Sequence, residues 1–148
     1  MHLERGDILS NREISRIFHV CTKRGIRYHG SLRNGIKHVV LITVLHKTPE
    51  ESVQNPYNDR VTEKYLLYTG EGRVGNQKME RGNLALKIQM EKKYPVYVFE
   101  KKTPGRYMFL GQYDVKSVQE EIQQDVNRLE RKVYLYKLEK VSDLVILH

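Results

Sequence analysis

The chain has 148 residues, 39% hydrophobic and 30% charged, a balance that suits one folded domain over residues 1–148 with a sizeable core. Lysine and arginine number 26 against 18 acidic residues, a formal charge of +8; this favours a polyanionic partner, although a solvated basic surface has the same composition. A single cysteine, Cys21, excludes an internal disulfide and a cysteine zinc cluster, and the absence of a signal-like start or a long apolar run points to a cytoplasmic protein without a membrane partner.

Ser10 and Asn11 are helix-capping residues, and Glu13 stands three after Ser10 as in a capping box. Ile14, Ile17, Phe18 and Cys21 then share a helical face, which predicts a helix over 11–23 ended by Gly25, with Cys21 as a small core residue. Between 23 and 37, Lys23, Arg24, Arg27, Arg33 and Lys37 alternate with glycines. That stretch reads equally as a solvated turn and as a loop laid along phosphates. Val39 to Leu45 is almost uninterruptedly apolar, so a central strand buried on both faces is expected, flanked by surface histidines His38 and His46. A polar loop follows from 46 to 56.

Tyr57 and Asp59 fall in the next loop, and Tyr65 to Thr69 reads as a short strand cut off by Gly70, Gly72 and Gly75. Glycines there permit positive φ and close approach to the main chain. A helix over 82–92 follows, with Leu84, Ile88 and Glu91 on one face. Pro95 to Phe99 and Tyr107 to Tyr113 are strands, joined through a basic turn at 101–106. Within residues 114–126, Val115, Val118, Ile122 and Val126 have helical spacing. Glu130 to Val141 alternates as a strand. The sum is an α+β domain built on a strongly bent, mostly antiparallel sheet.

Several of these pieces occur in a recognisable order: Tyr57 and Asp59, then Tyr68-Thr69-Gly70-Glu71-Gly72, then Gln77, then Asn83-Leu84-Ala85-Leu86. Pro95 to Phe99, and Tyr107 with Gly111 to Val115, continue it. Over roughly residues 25 to 115 the chain resembles the SRA (SET- and RING-associated) domain, a reader of modified cytosine in DNA. The resemblance implies a PUA-like bent antiparallel sheet or open β-barrel with flanking helices. It implies a strand for at least the beginning of 114–126, which leaves that stretch ambiguous. It also implies no cofactor, no metal and no catalytic residues. A duplex hides all but the edges of its bases, so testing a 5-methyl or 5-hydroxymethyl group from every side requires flipping the nucleotide. The pocket then needs planar faces to replace stacking and an acceptor for the cytosine amine. The resemblance gives Tyr57 and Tyr68 as the faces and Asp59 as the acceptor. Thr69, Gly70 and Glu71 meet the remaining edge.

Arg24, Arg27, Arg33, Arg73, Lys78, Arg81, Lys102 and Arg106 are the candidates for the DNA backbone. The pocket residues have plainer readings: Tyr68 as a core tyrosine, Tyr57 as an edge cover, Asp59 as a turn cap. The chain departs from the eukaryotic domains in one respect. Gly72 to Gln77 is too short for their finger loop, and Asn76 stands where an acid is expected. This resembles the compact SRA-like domains of modification-dependent restriction systems, in which a nuclease domain or subunit is a possible partner; another loop, 46–56 or 101–106, would then fill the duplex gap. An RNA-binding PUA-like barrel is the alternative.

Overall fold

The structure, a computed structural model, describes residues 1–45 and 57–148; the expected loop at 46–56 and His46 lie outside them. Ten strands and two helices are present among these residues. A short strand β1 (His2–Glu4) precedes β2 (Ile8–Leu9) and α1 (Asn11–Phe18). The hairpin β3 (Ile26–Ser31) and β4 (Gly35–Thr43) comes next, followed by β5 (Arg60–Val61), β6 (Tyr65–Thr69) and α2 (Arg81–Lys92). The chain finishes with β7 (Val96–Thr103), β8 (Arg106–Gln124), β9 (Glu130–Ser142) and β10 (Leu144–Ile146).

The main sheet runs β3-β4-β7-β8-β9-β6-β5, with β2 added on β8, while β1 and β10 form a separate ribbon. Every pairing is antiparallel except β4 with β7. Among the described residues the sheet does not close into a barrel, and β3 and β5 are its two ends. The long β8 takes register shifts near Gln112 and Val115, which bend it and increase its twist. β4 lies between β3 and β7, and Val39, Val40 and Leu41 are fully buried, which is why its sequence is a continuous apolar run.

The two faces of the sheet carry separate cores. Leu86 of α2 packs with Ile26, Leu66, Tyr68, Tyr113 and Tyr136 on one side. Phe18 of α1 packs with Val40, Tyr97, Phe99 and Phe109 on the other. No helix among the described residues is long and apolar enough to cross a membrane.

Four local expectations are corrected, and one that the sequence left open is decided. The capping box is present, with the Ser10 hydroxyl accepting from the Glu13 amide at 3.1 Å and the Glu13 carboxylate accepting from the Ser10 amide at 2.9 Å. The helix stops at Phe18, however, because His19 takes the left-handed conformation at φ 55°. The periodicity past that point is therefore not helical; Cys21 is exposed and Val20 is buried instead. Residues 114–124 are strand, since pairing to β9 as far as Gln124–Glu130 overrides their helical spacing. In α2 the buried polar face is Asn83 and Gln89 alongside Leu86, whereas Glu91 is exposed and Leu84 and Ile88 only half-buried. Histidine His38 is half-buried beneath α1, its Nε2 2.6 Å from the Phe18 carbonyl.

Candidate functional site

β6 ends at Thr69, and the following turn is shaped by two buried side-chain amides, Gln77 and Asn83. Gln77 donates from Nε2 to the carbonyls of Gly70 at 2.5 Å and Gly72 at 3.2 Å, and its Oε1 accepts from the Tyr134 amide at 2.9 Å. Asn83 accepts from the Glu71 amide at 2.7 Å and donates to the carbonyls of Glu71 at 3.0 Å and Lys78 at 2.9 Å. Between them these side chains satisfy main-chain groups that no strand or helix would reach. They also crowd Gly70. A Cβ there would sit 2.7 Å from Asn83 Oδ1 and 2.8 Å from Gln77 Oε1. The glycine is required for close approach, while Gly72 at φ 122° and Gly75 at φ 70° supply the turn itself.

Around this turn lies a cavity of 280 Å³, lined among others by Tyr57, Asp59, Tyr68, Thr69, Gly70 and Glu71. The six expected pocket residues are thus brought to one place. Its volume is near the lower end of small-ligand sites, about 300–1,000 Å³. Asp59 is fixed in its wall: one carboxylate oxygen accepts from the Thr43 hydroxyl at 2.6 Å, the other from the Thr69 amide at 2.8 Å. The Tyr57 hydroxyl accepts from the Gly72 amide at 3.2 Å, and burial pushes its pKa up.

Tyr68 differs. It is 5% exposed and belongs to the core, and its hydroxyl donates to the Ile42 carbonyl at 3.1 Å. Gly25 permits this, because a Cβ at that position would meet the Tyr68 oxygen at 2.8 Å. Tyr68 therefore contributes a fixed wall, and Tyr57 the half-buried ring. Glu71 accepts from the Gly82 amide at 3.0 Å and lies 3.7 Å from Arg24. Burial raises its pKa, against the opposing pull of the Gly82 amide and Arg24.

Of the basic candidates, Arg24 lines this cavity and also a neighbouring one of 380 Å³, where it is joined by Lys78 and Arg81. Arg33, Arg73, Lys102 and Arg106 are exposed but outside both walls. Arg27 needs a correction. It is 3% exposed, and its guanidinium donates to the Arg24 carbonyl at 2.5 Å, Asn11 Oδ1 at 2.6 Å and the Thr22 carbonyl at 3.2 Å. It holds the 22–24 loop and lines the 280 Å³ cavity itself, so it is not on an outer surface. Lys23, Lys101 and Tyr107 also line the cavity, and Thr43 orients Asp59. Tyr107 belongs to the family pattern and Lys23 and Lys101 to the basic runs, whereas Thr43 carries no motif signal. Among the described residues no His, Cys, Asp and Glu cluster is arranged to hold a metal ion.

The bent sheet and the cavity at its glycine turn define an SRA-type, PUA-like α+β domain. Residues 16–145 match the family model described as the ScoMcrA-like SRA domain, and the chain belongs to this family. Curated protein sequences offer no match. Among solved structures, the SRA domain of SUVH5 in complex with methylated CHH DNA is 25% identical, at TM-score 0.71, covering 99% of this chain and 94% of that one. The sulfur-binding and SRA domains of ScoMcrA, complexed with phosphorothioated DNA, align at TM-score 0.69 and 18% identity over 93% of this chain and 39% of theirs. The DNA modification-dependent restriction endonuclease AspBHI aligns at TM-score 0.72 and 16% identity, over 98% and 44%. The last two are similarities of fold, and this chain spans less than half of either protein.

Proposed function

We propose that this chain is a DNA-binding module that recognises 5-methyl- or 5-hydroxymethylcytosine in duplex DNA by flipping the base into the 280 Å³ cavity. The observation that carries this reading is Asp59, whose carboxylate accepts from Thr43 and Thr69 in the wall of a cavity that Tyr57 and Tyr68 also line. A fixed acceptor suits the cytosine amine, and a half-buried aromatic ring suits the stacking that the base gives up. Thr69, Gly70 and Glu71 complete the wall. Arg24, Lys78 and Arg81 at the adjoining cavity, with Arg33, Arg73, Lys102 and Arg106 farther out, neutralise phosphates.

The chain supplies specificity and leaves DNA cleavage to another domain or partner, as befits a relative of SRA domains from restriction proteins. A competition assay against labelled modified duplex tests it. Unlabelled modified duplex should compete best, plain duplex weakly, and single-stranded RNA weakly. Equal competition by plain duplex would reduce the chain to a general DNA binder, and preferential competition by RNA would make it an RNA-binding barrel.

A further inference from the structure

The turn that carries Tyr57's hydrogen-bond donor is bolted to the far end of the β8–β9 hairpin. Arg131 of β9 donates from Nη1 to the Gly72 carbonyl and to the Gly75 carbonyl at 3.2 Å. Asp125, at the hairpin tip, accepts from the Gly75 amide at 3.3 Å and from the amides of Asn127 at 2.8 Å and Leu129 at 3.1 Å. Asn76 accepts from the Lys132 amide at 2.8 Å. Gly72, whose carbonyl Arg131 grips, is the residue whose amide donates to the Tyr57 hydroxyl.

Arg131 is an unusual choice for a mere brace. It is 3% exposed, and among the described residues its Nε and Nη2 have no hydrogen-bond partner, nor has Oε1 of the neighbouring buried Gln123. Burial lowers the Arg131 pKa while Tyr57 and Asp125 favour its charge. A buried cation with unspent donors is unfavourable for folding, and such an exception in a fold asks for a role. Placement of the Gly72–Gly75 turn under Tyr57 supplies one.

We infer that Arg131 is a positioning residue: by fixing the backbone of Gly72 on both sides of its Cα it sets the angle of the Tyr57 ring, and so the fit of the flipped base. Neither Arg131 nor Asp125 lines the cavity, so Arg131 acts on the base only through this relay. The inference rests on the reading of the cavity as a base pocket.

The test uses the whole chain and two variants, Arg131→Met and Tyr57→Phe, with modified and plain duplexes, a salt titration and a melting curve. Tyr57→Phe keeps the stacking ring and removes only the oxygen that meets the Gly72 amide. Both variants should lose about tenfold in the ratio of modified to plain binding, within the range for a displaced stacking partner. Combining them should cost no more than either alone, since they cut one relay. The salt slope should stay at the wild-type value, because no phosphate contact is removed. A slope reduced by about one contact in Arg131→Met would make Arg131 a phosphate ligand, and an unchanged ratio in folded Tyr57→Phe would break the relay; either result overturns the inference. If Arg131→Met fails to fold, Arg131→Lys takes its place, and a folded Arg131 variant with the wild-type ratio of modified to plain binding overturns the inference as well. Should wild-type protein not prefer modified duplex at all, the base-pocket reading fails first.

Discussion

Asp59 and Tyr57 are where the chemistry of the proposal is concentrated. Asp59→Asn keeps an oxygen for the Thr69 amide but puts an NH₂ where a second acceptor stood. Modified-duplex binding should weaken by about 1.5–3 kcal/mol, the worth of a hydrogen bond to a charged group, while plain-duplex binding holds. Titration of both duplexes measures this, and equal losses would remove Asp59 from base reading. His38 offers an independent residue-scale prediction. Burial lowers its pKa below 6.5, and although the Phe18 carbonyl opposes the shift, His29, His19 and Lys37 reinforce it. The His38 ring stacks on His29 at 5.3 Å, and His29 lies 5.5 Å from His19. With a depressed folded-state pKa the unfolded chain binds the proton more readily, so stability is lost as pH falls below the ordinary histidine value. Thermal melting should show the loss between neutral pH and about pH 5, and His38→Gln should flatten that part of the profile.

The elements show how far a sequence pattern reaches. β6 was legible from Tyr65 to Thr69, because its apolar alternation is closed by glycine on one side and polar loop on the other. The capping box located the start of α1 but its apolar spacing misplaced the end, since a left-handed His19 has no pattern signal. α2 hides its function in its weak amphipathicity: Asn83 and Gln89 are buried because each ties main chain together, Asn83 the Glu71–Lys78 turn and Gln89 the Tyr94 carbonyl and Val115 amide. Asn83→Leu should thus destabilise the fold by about 1–3 kcal/mol for each polar group left unpaired. Urea unfolding would reveal it; a variant as stable as wild type would show that the turn finds other partners. The pocket side chains were legible because they sit together in sequence around Tyr-Thr-Gly. Thr43, Arg131 and Asp125 were not, because only β-sheet pairing brings residues so distant in sequence to one turn.

At the scale of the molecule, a charge of +8 on a bent sheet fits a polyanion, but the exposed cations are not equivalent. Arg24, Lys78 and Arg81 are exposed around the cavities, whereas Arg27, in the wall of the smaller one, is buried and bonded to Asn11 and the 22–24 loop. Neutralising Lys78 and Arg81 together should weaken binding to modified and plain duplex alike, and flatten the dependence of log K on log salt by about 0.9 per lost phosphate contact. An unchanged slope in salt titrations would put the DNA on another face.

Base flipping itself is tested most directly by a fluorescent base analogue placed beside the modified cytosine in a duplex. Binding of wild-type protein should brighten or shift the analogue as its neighbour leaves the stack. Tyr57→Ala, still folded by its melting curve, should suppress that change and weaken modified-duplex binding by about 1–3 kcal/mol. An analogue that stays stacked on binding, with Tyr57→Ala gripping modified duplex as wild type does, would contradict the account.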